Sequence, residues 1–285
     1  MQQRWTIKTA LSWTTDYFIK KGIDAPRLTA ELLLCYVLGK DRLYLYLNYD
    51  QPLNQKELNA FKELIKRRLA HEPLAYILGE QKFFSFSFKI SPHVFIPRPE
   101  TERLVEVTIG ILQKEGFKNP FILDWGTGSG VIAICLAKKW PSSTVFATDI
   151  SLFALKLARK NAKIHKVNIF LLCTDSLPFK PKVFHIIVSN PPYVKTDVIS
   201  TLAPEIKYEP REALDGGKDG LKYIRYLIEK GYYYLKEGGF LILEIGYDQA
   251  EAINKIISFK NWHKPVFSKD YAGHKRVVAI RKRHG

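Results

Sequence analysis

The sequence predicts an α/β protein: a mostly parallel seven-stranded sheet with a C-terminal antiparallel hairpin, preceded by a small helical bundle and a β-hairpin. Three observations predict it. From residue 120 onward, short apolar strand-length runs alternate with stretches of helical spacing, the pattern of repeated βαβ units. The first 75 or so residues carry apolar side chains at helical steps. Between the two, residues 84–90 alternate apolar and polar with a strand period.

Taken in order, Leu28 to Leu38 reads as a buried helix ended by Gly39. Asn54 is placed to cap the next helix, with Glu57 at the capping-box position. There Leu58, Phe61, Leu64, Ile65 and Leu69 follow helical spacing, and Lys62, Lys66, Arg67 and Arg68 fill the other positions. The aromatic strand at residues 83–90 is expected to pair with a short strand near Val94-Phe95-Ile96. Pro97-Arg98-Pro99 stops regular structure, and a helical pattern resumes from Glu100 to Leu112. Strands follow at 121–124, 144–148, 168–173, 184–188 and 240–245, with helices at 131–139, 152–165, 220–235 and 249–257. The tail reads as two strands, 264–269 and 276–281, around Ala272-Gly273. The expected domains are a helical docking domain at 1–78, a hairpin linker at 79–97 and an α/β catalytic domain at 98–285.

Composition bounds the function. The 285 residues are 46% hydrophobic and 25% charged, a globular balance that excludes a disordered chain. No run approaches the 18 or more apolar residues of a membrane-spanning helix. Met1-Gln-Gln-Arg-Trp-Thr-Ile-Lys8 lacks the apolar core of a signal peptide, which points to the cytoplasm. Cys35, Cys135 and Cys173 lie far apart without a CxxC pair, against both a disulfide framework and a zinc site. Cys135 and Cys173 sit in apolar runs and are expected to be buried. The unusual quantity is a net charge of +16. It concentrates in Lys156, Arg159, Lys160, Lys163 and Lys166, and in residues 255–285. Nucleic acid, an anionic ligand, an acidic partner and a merely solvated surface all fit that excess.

Parallel sheets bind ligands at the carboxyl ends of their strands. The first of these strands ends in Asp124-Trp-Gly-Thr-Gly-Ser-Gly130. Gly126, Gly128 and Gly130 allow a tight turn and close backbone approach, with Thr127 and Ser129 between them and free helix N–H groups beyond. The dinucleotide fingerprint is G-x-G-x-x-G, and Val131 stands where its third glycine would be. A ligand without a pyrophosphate, such as S-adenosylmethionine, suits this loop better than a nicotinamide cofactor. Asp149, 19 residues after Gly130, ends the next strand and can accept two ribose hydroxyls. The competing role for Asp149 is a helix N-cap, which Ser151 can also fill. Asp175 and Ser176, after the following strand, are placed to meet an adenine edge.

The segment Ser189-Asn-Pro-Pro-Tyr193 is the most informative. Pro191 and Pro192 fix an extended backbone and supply no N–H, so local carbonyls can act as acceptors. Asn190 adds a side-chain carbonyl, and Tyr193 offers an aromatic face. Together they can hold both hydrogens of a planar –NH2 and turn its lone pair toward an electrophile. Methyl transfer from a sulfonium is an in-line displacement, so orientation can supply much of the rate.

These residues resemble the class I S-adenosylmethionine-dependent methyltransferases, which have a Rossmann-like fold. More closely, five segments occur in the order found in peptide-chain-release-factor glutamine methyltransferases of the HemK/PrmC type. They are Ile96-Pro-Arg-Pro-Glu-Thr-Glu102, Asp124 to Gly130, Asn190 to Tyr193, Tyr208-Glu-Pro-Arg-Glu-Ala-Leu214 with Gly216-Gly217, and Gly238 to Gly246. The resemblance covers nearly the whole chain, Tyr76-Ile-Leu-Gly79 included. It implies methylation at N5 of the glutamine in the Gly-Gly-Gln loop of class I release factors, with S-adenosylhomocysteine as the other product, by a monomer that needs no metal. It implies that Asp124, Gly126 to Gly130, Asp149, Asp175, Ser176 and Asn190 bind the cofactor. Asn190, Pro191, Pro192 and Tyr193 would bind and orient the amide. Phe95 is either an aromatic wall beside that amide or a hydrophobic residue of the hairpin. Trp125 stands where the family commonly has a smaller aliphatic residue, and is expected to point away from the ligand side.

The competing readings are an adenine-N6 or cytosine-N4 methyltransferase acting on nucleic acid, and a non-catalytic cofactor-binding adaptor on the ribosome. Charge and Asn-Pro-Pro-Tyr favour the first, but no insertion is long enough to read bases. Against the second, every position the chemistry requires is filled by a competent residue.

Overall fold

The computed structural model describes residues 5–284, and the chain divides into two compact units. Residues 1–4 of the stretch read above as lacking a leader lie outside the described residues.

The first unit comprises residues 1–79 together with 204–208. Helix α1 (Ile7–Lys20) starts at a Thr6/Thr9 capping box. Helix α2 (Pro26–Leu38) has proline in its first turn and ends at Gly39 in the left-handed conformation. Helix α3 (Arg42–Leu47) is capped by Asp41, and α4 (Gln55–Leu69) by the predicted Asn54/Glu57 box. A cap of this kind contributes about 1 kcal/mol. Helix α5 (Leu74–Leu78) closes the series. Ile7, Leu11, Phe18, Leu33, Leu34, Phe61 and Ile65 fill the core. Glu31 is buried but satisfied, by Arg27 at 2.6 Å, Arg42 at 2.7 Å and the Tyr46 hydroxyl at 2.7 Å. Residues 204–208 join this unit through an Arg68–Glu205 pair at 3.0 Å, and the Tyr208 hydroxyl donates to the Ala70 carbonyl at 2.6 Å.

The second unit, residues 80–203 and 209–285, opens with strands β1 (Glu80–Phe83) and β2 (Phe86–Lys89). These two pair with each other, and Val94–Ile96 forms no strand. The predicted pairing is therefore corrected. Phe84, at φ +52°, reverses the chain inside what the alternation presents as one strand. Glu102 Oε1 receives the Phe84 N–H at 2.6 Å and compensates the turn. Phe83 and Phe88 are buried, which a single alternating strand does not provide.

A 3₁₀ turn (Pro99–Thr101) leads into α6 (Glu102–Glu115). Then follow β3 (Phe121–Trp125), α7 (Val131–Lys139), β4 (Thr144–Asp149), α8 (Leu152–Ile164), β5 (Phe170–Cys173) and β6 (Phe184–Ser189). The chain continues through α9 (Lys222–Tyr234), β7 (Leu235–Glu244), α10 (Ala250–Ile256), β8 (Val266–Lys269) and β9 (Lys275–Arg281). The sheet order is β5-β4-β3-β6-β7-β9-β8. β3 to β7 are mutually parallel, and β9 runs antiparallel to β7 and β8. The strand order reverses between β3 and β6, which opens a crevice at their carboxyl ends.

Two apolar layers hold this unit together. Leu104, Ile132, Ala133 and Val145 belong to one, and Ile187, Ile224, Leu227, Ile253 and Trp262 to the other. Cys35 and Cys135 are buried, but Cys173 is exposed. This corrects the expectation for Cys173: β5 is the sheet edge, so residues of its apolar run face solvent. Among the described residues no helix is long and apolar enough to cross a membrane, and no cluster of side chains could hold a metal ion.

Candidate active site

The glycine loop is shaped by positive φ at Gly126 (+73°), Gly128 (+56°) and Gly130 (+84°). Backbone pairing pins it to the neighbouring strand: the N–H groups of Gly126 and Thr127 both donate to the Thr148 carbonyl at 2.9 Å. At Gly130 a Cβ would lie 3.0 Å from the Ala158 Cβ, so glycine there lets α8 approach. Asp124 sits wholly buried behind the loop. Its Oδ2 accepts the Thr127 hydroxyl at 2.6 Å and the Ala133 N–H at 3.2 Å. Burial raises its carboxyl to about 7. Asp124, Thr127 and Ser129 are thus turned inward, and their side chains shape the loop from within.

Asp149 ends β4. Its Oδ2 accepts the Gly128 N–H at 2.8 Å and its Oδ1 accepts the Ser151 N–H at 2.9 Å. Burial pushes this carboxyl up, and those N–H groups oppose the rise. Ser151, not Asp149, caps α8, accepting from the Ala154 N–H at 3.3 Å. Asp175 and Ser176 are exposed on a turn in which the Thr174 hydroxyl accepts the Ser176 N–H at 3.1 Å. The Thr174 N–H donates to the Asp149 carbonyl at 2.9 Å, which brings that turn beside the end of β4.

Across the switch point, the Ser189 hydroxyl donates to the Trp125 carbonyl at 2.6 Å and ties the ends of β6 and β3 together. Asn190 follows, its Nδ2 donating to the buried Thr101 hydroxyl at 3.2 Å. Tyr193 is largely enclosed, and its hydroxyl donates to Glu244 Oε1 at 3.1 Å. Burial and the adjoining Glu244 charge push that phenol far above its ordinary value. Residues 214–217 brace the proline loop: Val194 N–H donates to the Leu214 carbonyl at 3.0 Å, and Gly216 N–H to the Val194 carbonyl at 2.8 Å. At Gly216 a Cβ would sit 2.7 Å from the Pro192 carbonyl oxygen and 2.8 Å from the Tyr193 Cα. Gln249 Nε2 donates to the Tyr193 carbonyl at 3.1 Å.

Phe95 lies half-buried with the Arg98 guanidinium 5.1 Å above its ring centroid. Buried Glu209 accepts from Arg98 and, at 3.0 Å, from the Ile96 N–H. The neighbouring Val94 side chain reaches the glycine loop, 3.6 Å from where a Gly128 Cβ would stand. Trp125 packs against Tyr223 and Tyr226 of α9, with ring centroids at 5.7 and 5.8 Å and the rings tilted by 46° and 37°.

The fold therefore gathers the glycine loop, Asp149, the Asn-Pro-Pro-Tyr segment and the Val94–Arg98 strap along the carboxyl ends of β3, β4 and β6. Sequence reasoning gave no role to Glu244, Glu209, Gln249 or Asn161. Asn161, buried on α8, donates to the Ser129 carbonyl at 2.8 Å and the Lys89 carbonyl at 3.0 Å. A polar residue on a helix face otherwise made of Ala154, Leu155, Ala158 and Ala162 is the signal that could have found it. For Glu244, the signal is a carboxylate ending an apolar parallel strand, as Asp149 does.

Residues 9–79 match the family described as PrmC N-terminal domain, and residues 105–218 match the Methyltransferase small domain. A release factor glutamine methyltransferase of Geobacter sulfurreducens is 41% identical over 280 residues, covering 97% of each chain. The chain belongs to the release factor glutamine methyltransferases. A second member, from Vibrio cholerae, is 39% identical over 276 residues and 96% of each chain. Among solved structures, a methyltransferase from Pyrococcus furiosus superposes with a TM-score of 0.51 at 20% identity. It covers 71% of this chain and 91% of its own, a likeness of fold. The Asn-Pro-Pro-Tyr loop is braced by the Gly216 segment, and the strap at Ile96–Arg98 is anchored by Glu209.

Proposed function

We propose that this chain transfers the methyl group of S-adenosylmethionine to the side-chain nitrogen N5 of the glutamine in the Gly-Gly-Gln motif of class I peptide chain release factors. The residues present fit such a cofactor. Gly126 borders open space, with nothing within 4 Å of where a Cβ would project, and Asp149 presents a carboxylate at the adjoining strand end. In this reading the Gly126–Gly130 backbone, Asp149, Asp175 and Ser176 hold the cofactor, and Asp124 shapes the loop that does so. When bound, the cofactor supplies an electrophilic methyl on a sulfonium.

The chain's own part is to bind and aim the amide. Asn190 Oδ1 and the Pro191 carbonyl accept its two hydrogens, which draws the nitrogen lone pair out of conjugation. Tyr193 packs against it, with its hydroxyl tethered to Glu244 so that the ring stays in place. The new N–C bond forms as the C–S bond breaks, the electron pair goes to sulfur, and the nitrogen then loses a proton. Positioning of this kind is worth several orders of magnitude in rate. The observation that carries the reading is Asn190: its NH2 is engaged by Thr101, which turns its acceptor oxygen elsewhere.

The helical first unit serves as the docking domain for the protein substrate, and the enzyme works as a monomer in the cytoplasm. The test offers labelled S-adenosylmethionine with a release factor, DNA and ribosomal RNA in parallel. Label is expected in the release factor and lost when its Gly-Gly-Gln glutamine is replaced. Label in nucleic acid alone would overturn the proposal in favour of base methylation. Asn190→Ala is expected to lower kcat about 100-fold, with a smaller change in cofactor affinity.

A further inference from the structure

Asn161 has no part in the scheme above, yet its side chain is spent on backbone at the rim of the site. It is wholly buried, on a face of α8 otherwise made of alanine and leucine. Its Oδ1 accepts the Lys89 N–H at 2.8 Å. Its Nδ2 has two hydrogens to give. One goes to the Lys89 carbonyl at 3.0 Å and the other to the Ser129 carbonyl at 2.8 Å. The amide thus lies against the end of β2 as a neighbouring strand would, with a further donor for the glycine loop.

The Ser129 carbonyl shares a peptide plane with the Gly130 N–H, which donates to the Thr127 carbonyl at 2.9 Å. Both edges of that plane are therefore held. Gly130, at φ +84° and without a Cβ, offers little resistance of its own to a rotation of the plane. Without Asn161 the Ser129 carbonyl loses its donor in the interior, and a buried carbonyl left unpaired favours rotation toward another partner. At Lys89 the same side chain holds the point from which the chain runs through Ile90 to the Val94–Arg98 strap. Val94 in turn reaches back to the glycine loop.

We propose that Asn161 is a positioning residue for the cofactor: it locks the Ser129–Gly130 peptide in the orientation the glycine loop needs, and ties that peptide to the end of the hairpin from which the strap departs. The inference rests on the reading of the glycine loop as the S-adenosylmethionine site. His165, just past the end of α8, provides the comparison. Its Nε2 donates to the Ser87 carbonyl at 3.0 Å, and its ring centroid lies 4.6 Å from that of Phe88. It grips the same hairpin and, among the described residues, makes no hydrogen bond to the glycine loop.

The test titrates S-adenosylhomocysteine, without release factor, into the wild type, N161A, N161D and H165A, each well below its melting temperature. N161A and N161D are expected to bind about 10-fold more weakly, the scale of one buried carbonyl left without a donor. Asp fills the volume of Asn and keeps an acceptor for the Lys89 N–H, but when ionised it has no donor for Ser129. H165A is expected to bind as the wild type does. In turnover, KM for S-adenosylmethionine should rise in N161D while KM for the release factor holds. Wild-type affinity in either Asn161 variant overturns the inference. So does equal weakening in H165A, which would make the anchoring of the hairpin, and not the Ser129 carbonyl, the cause. Hydrogen exchange of the wild type decides the matter even where neither Asn161 variant folds. S-adenosylhomocysteine is expected to slow exchange at the Lys89 amide as well as in residues 126–131, because Asn161 joins the two. Protection confined to the loop overturns the inference. Failure of the wild type to bind S-adenosylhomocysteine would overturn the functional reading itself, whereas equally tight binding by the wild type and N161D overturns this inference alone.

Discussion

Asp124 ionises near 4 in an unfolded chain, but enclosure behind the glycine loop raises its carboxyl to about 7 in the folded protein. Between those values the native state binds the extra proton. The group therefore favours folding most below pH 4, and that contribution is lost as pH rises toward 7. Asn at this position keeps an acceptor for Thr127 and Ala133 and does not titrate. Equilibrium unfolding between pH 4 and 8 should accordingly show a flatter dependence for Asp124→Asn than for the wild type. Parallel curves would show that Asp124 is not the proton-binding group described. Glu244 is raised to about 7 by the same cause, so the buried carboxylates of this site favour acid over neutral pH in stability, while holding the loops that catalysis needs. That opposition is the familiar exchange of stability for a preorganised site.

At the scale of elements, the loop after β6 is held by backbone pairing and by the absence of a side chain at Gly216. Gly216→Ala would place a methyl 2.7 Å from the Pro192 carbonyl oxygen, against main chain that cannot swing aside. It is expected to destabilise the fold by about 1–3 kcal/mol and to lower kcat by more than that loss explains, measured as activity well below the melting transition. Full activity would mean that the brace does not position the loop. The sheet and its helices were legible because periodicity reports burial directly. Asp149 and the glycines were legible because their positions at strand ends follow from topology. The hairpin was not: the alternation of Phe84, Phe86 and Phe88 runs straight through a chain reversal that depends on a positive φ at Phe84 and on Glu102, eighteen residues away. Glu209 and Glu244 were hidden for a similar reason. Their partners, Ile96, Arg98 and Tyr193, lie 51 to 113 residues distant in sequence and meet them only in the folded protein.

For the whole molecule, the +16 charge takes a definite form on α8. Lys156, Arg159, Lys160, Lys163 and Lys166, on and just after this helix, are all exposed. Among the described residues none of the five has an acidic partner within 4 Å. Like charges at three- and four-residue steps cost roughly 0.2–0.5 kcal/mol per pair in a helix, so this surface is retained against a local penalty. Steering of a net-acidic protein substrate is the role consistent with the proposed activity. kcat/KM for release-factor methylation should therefore fall as ionic strength rises through the range where the screening length drops to about 8 Å. A rate indifferent to salt would reduce the excess to surface composition.

The edge position of β5 has a practical use. Of the three thiols, Cys173 alone is solvent-exposed, and its Sγ lies 3.5 Å from the Ile150 carbonyl, next to Asp149. A maleimide should therefore label the native protein once, beside the proposed adenine region. Bound S-adenosylmethionine is expected to slow that alkylation, read as the rate of mass gain with and without cofactor. An unchanged rate would move the adenine away from β5. The exposed sulfur thus offers a footprint of cofactor binding that needs neither a release factor nor turnover.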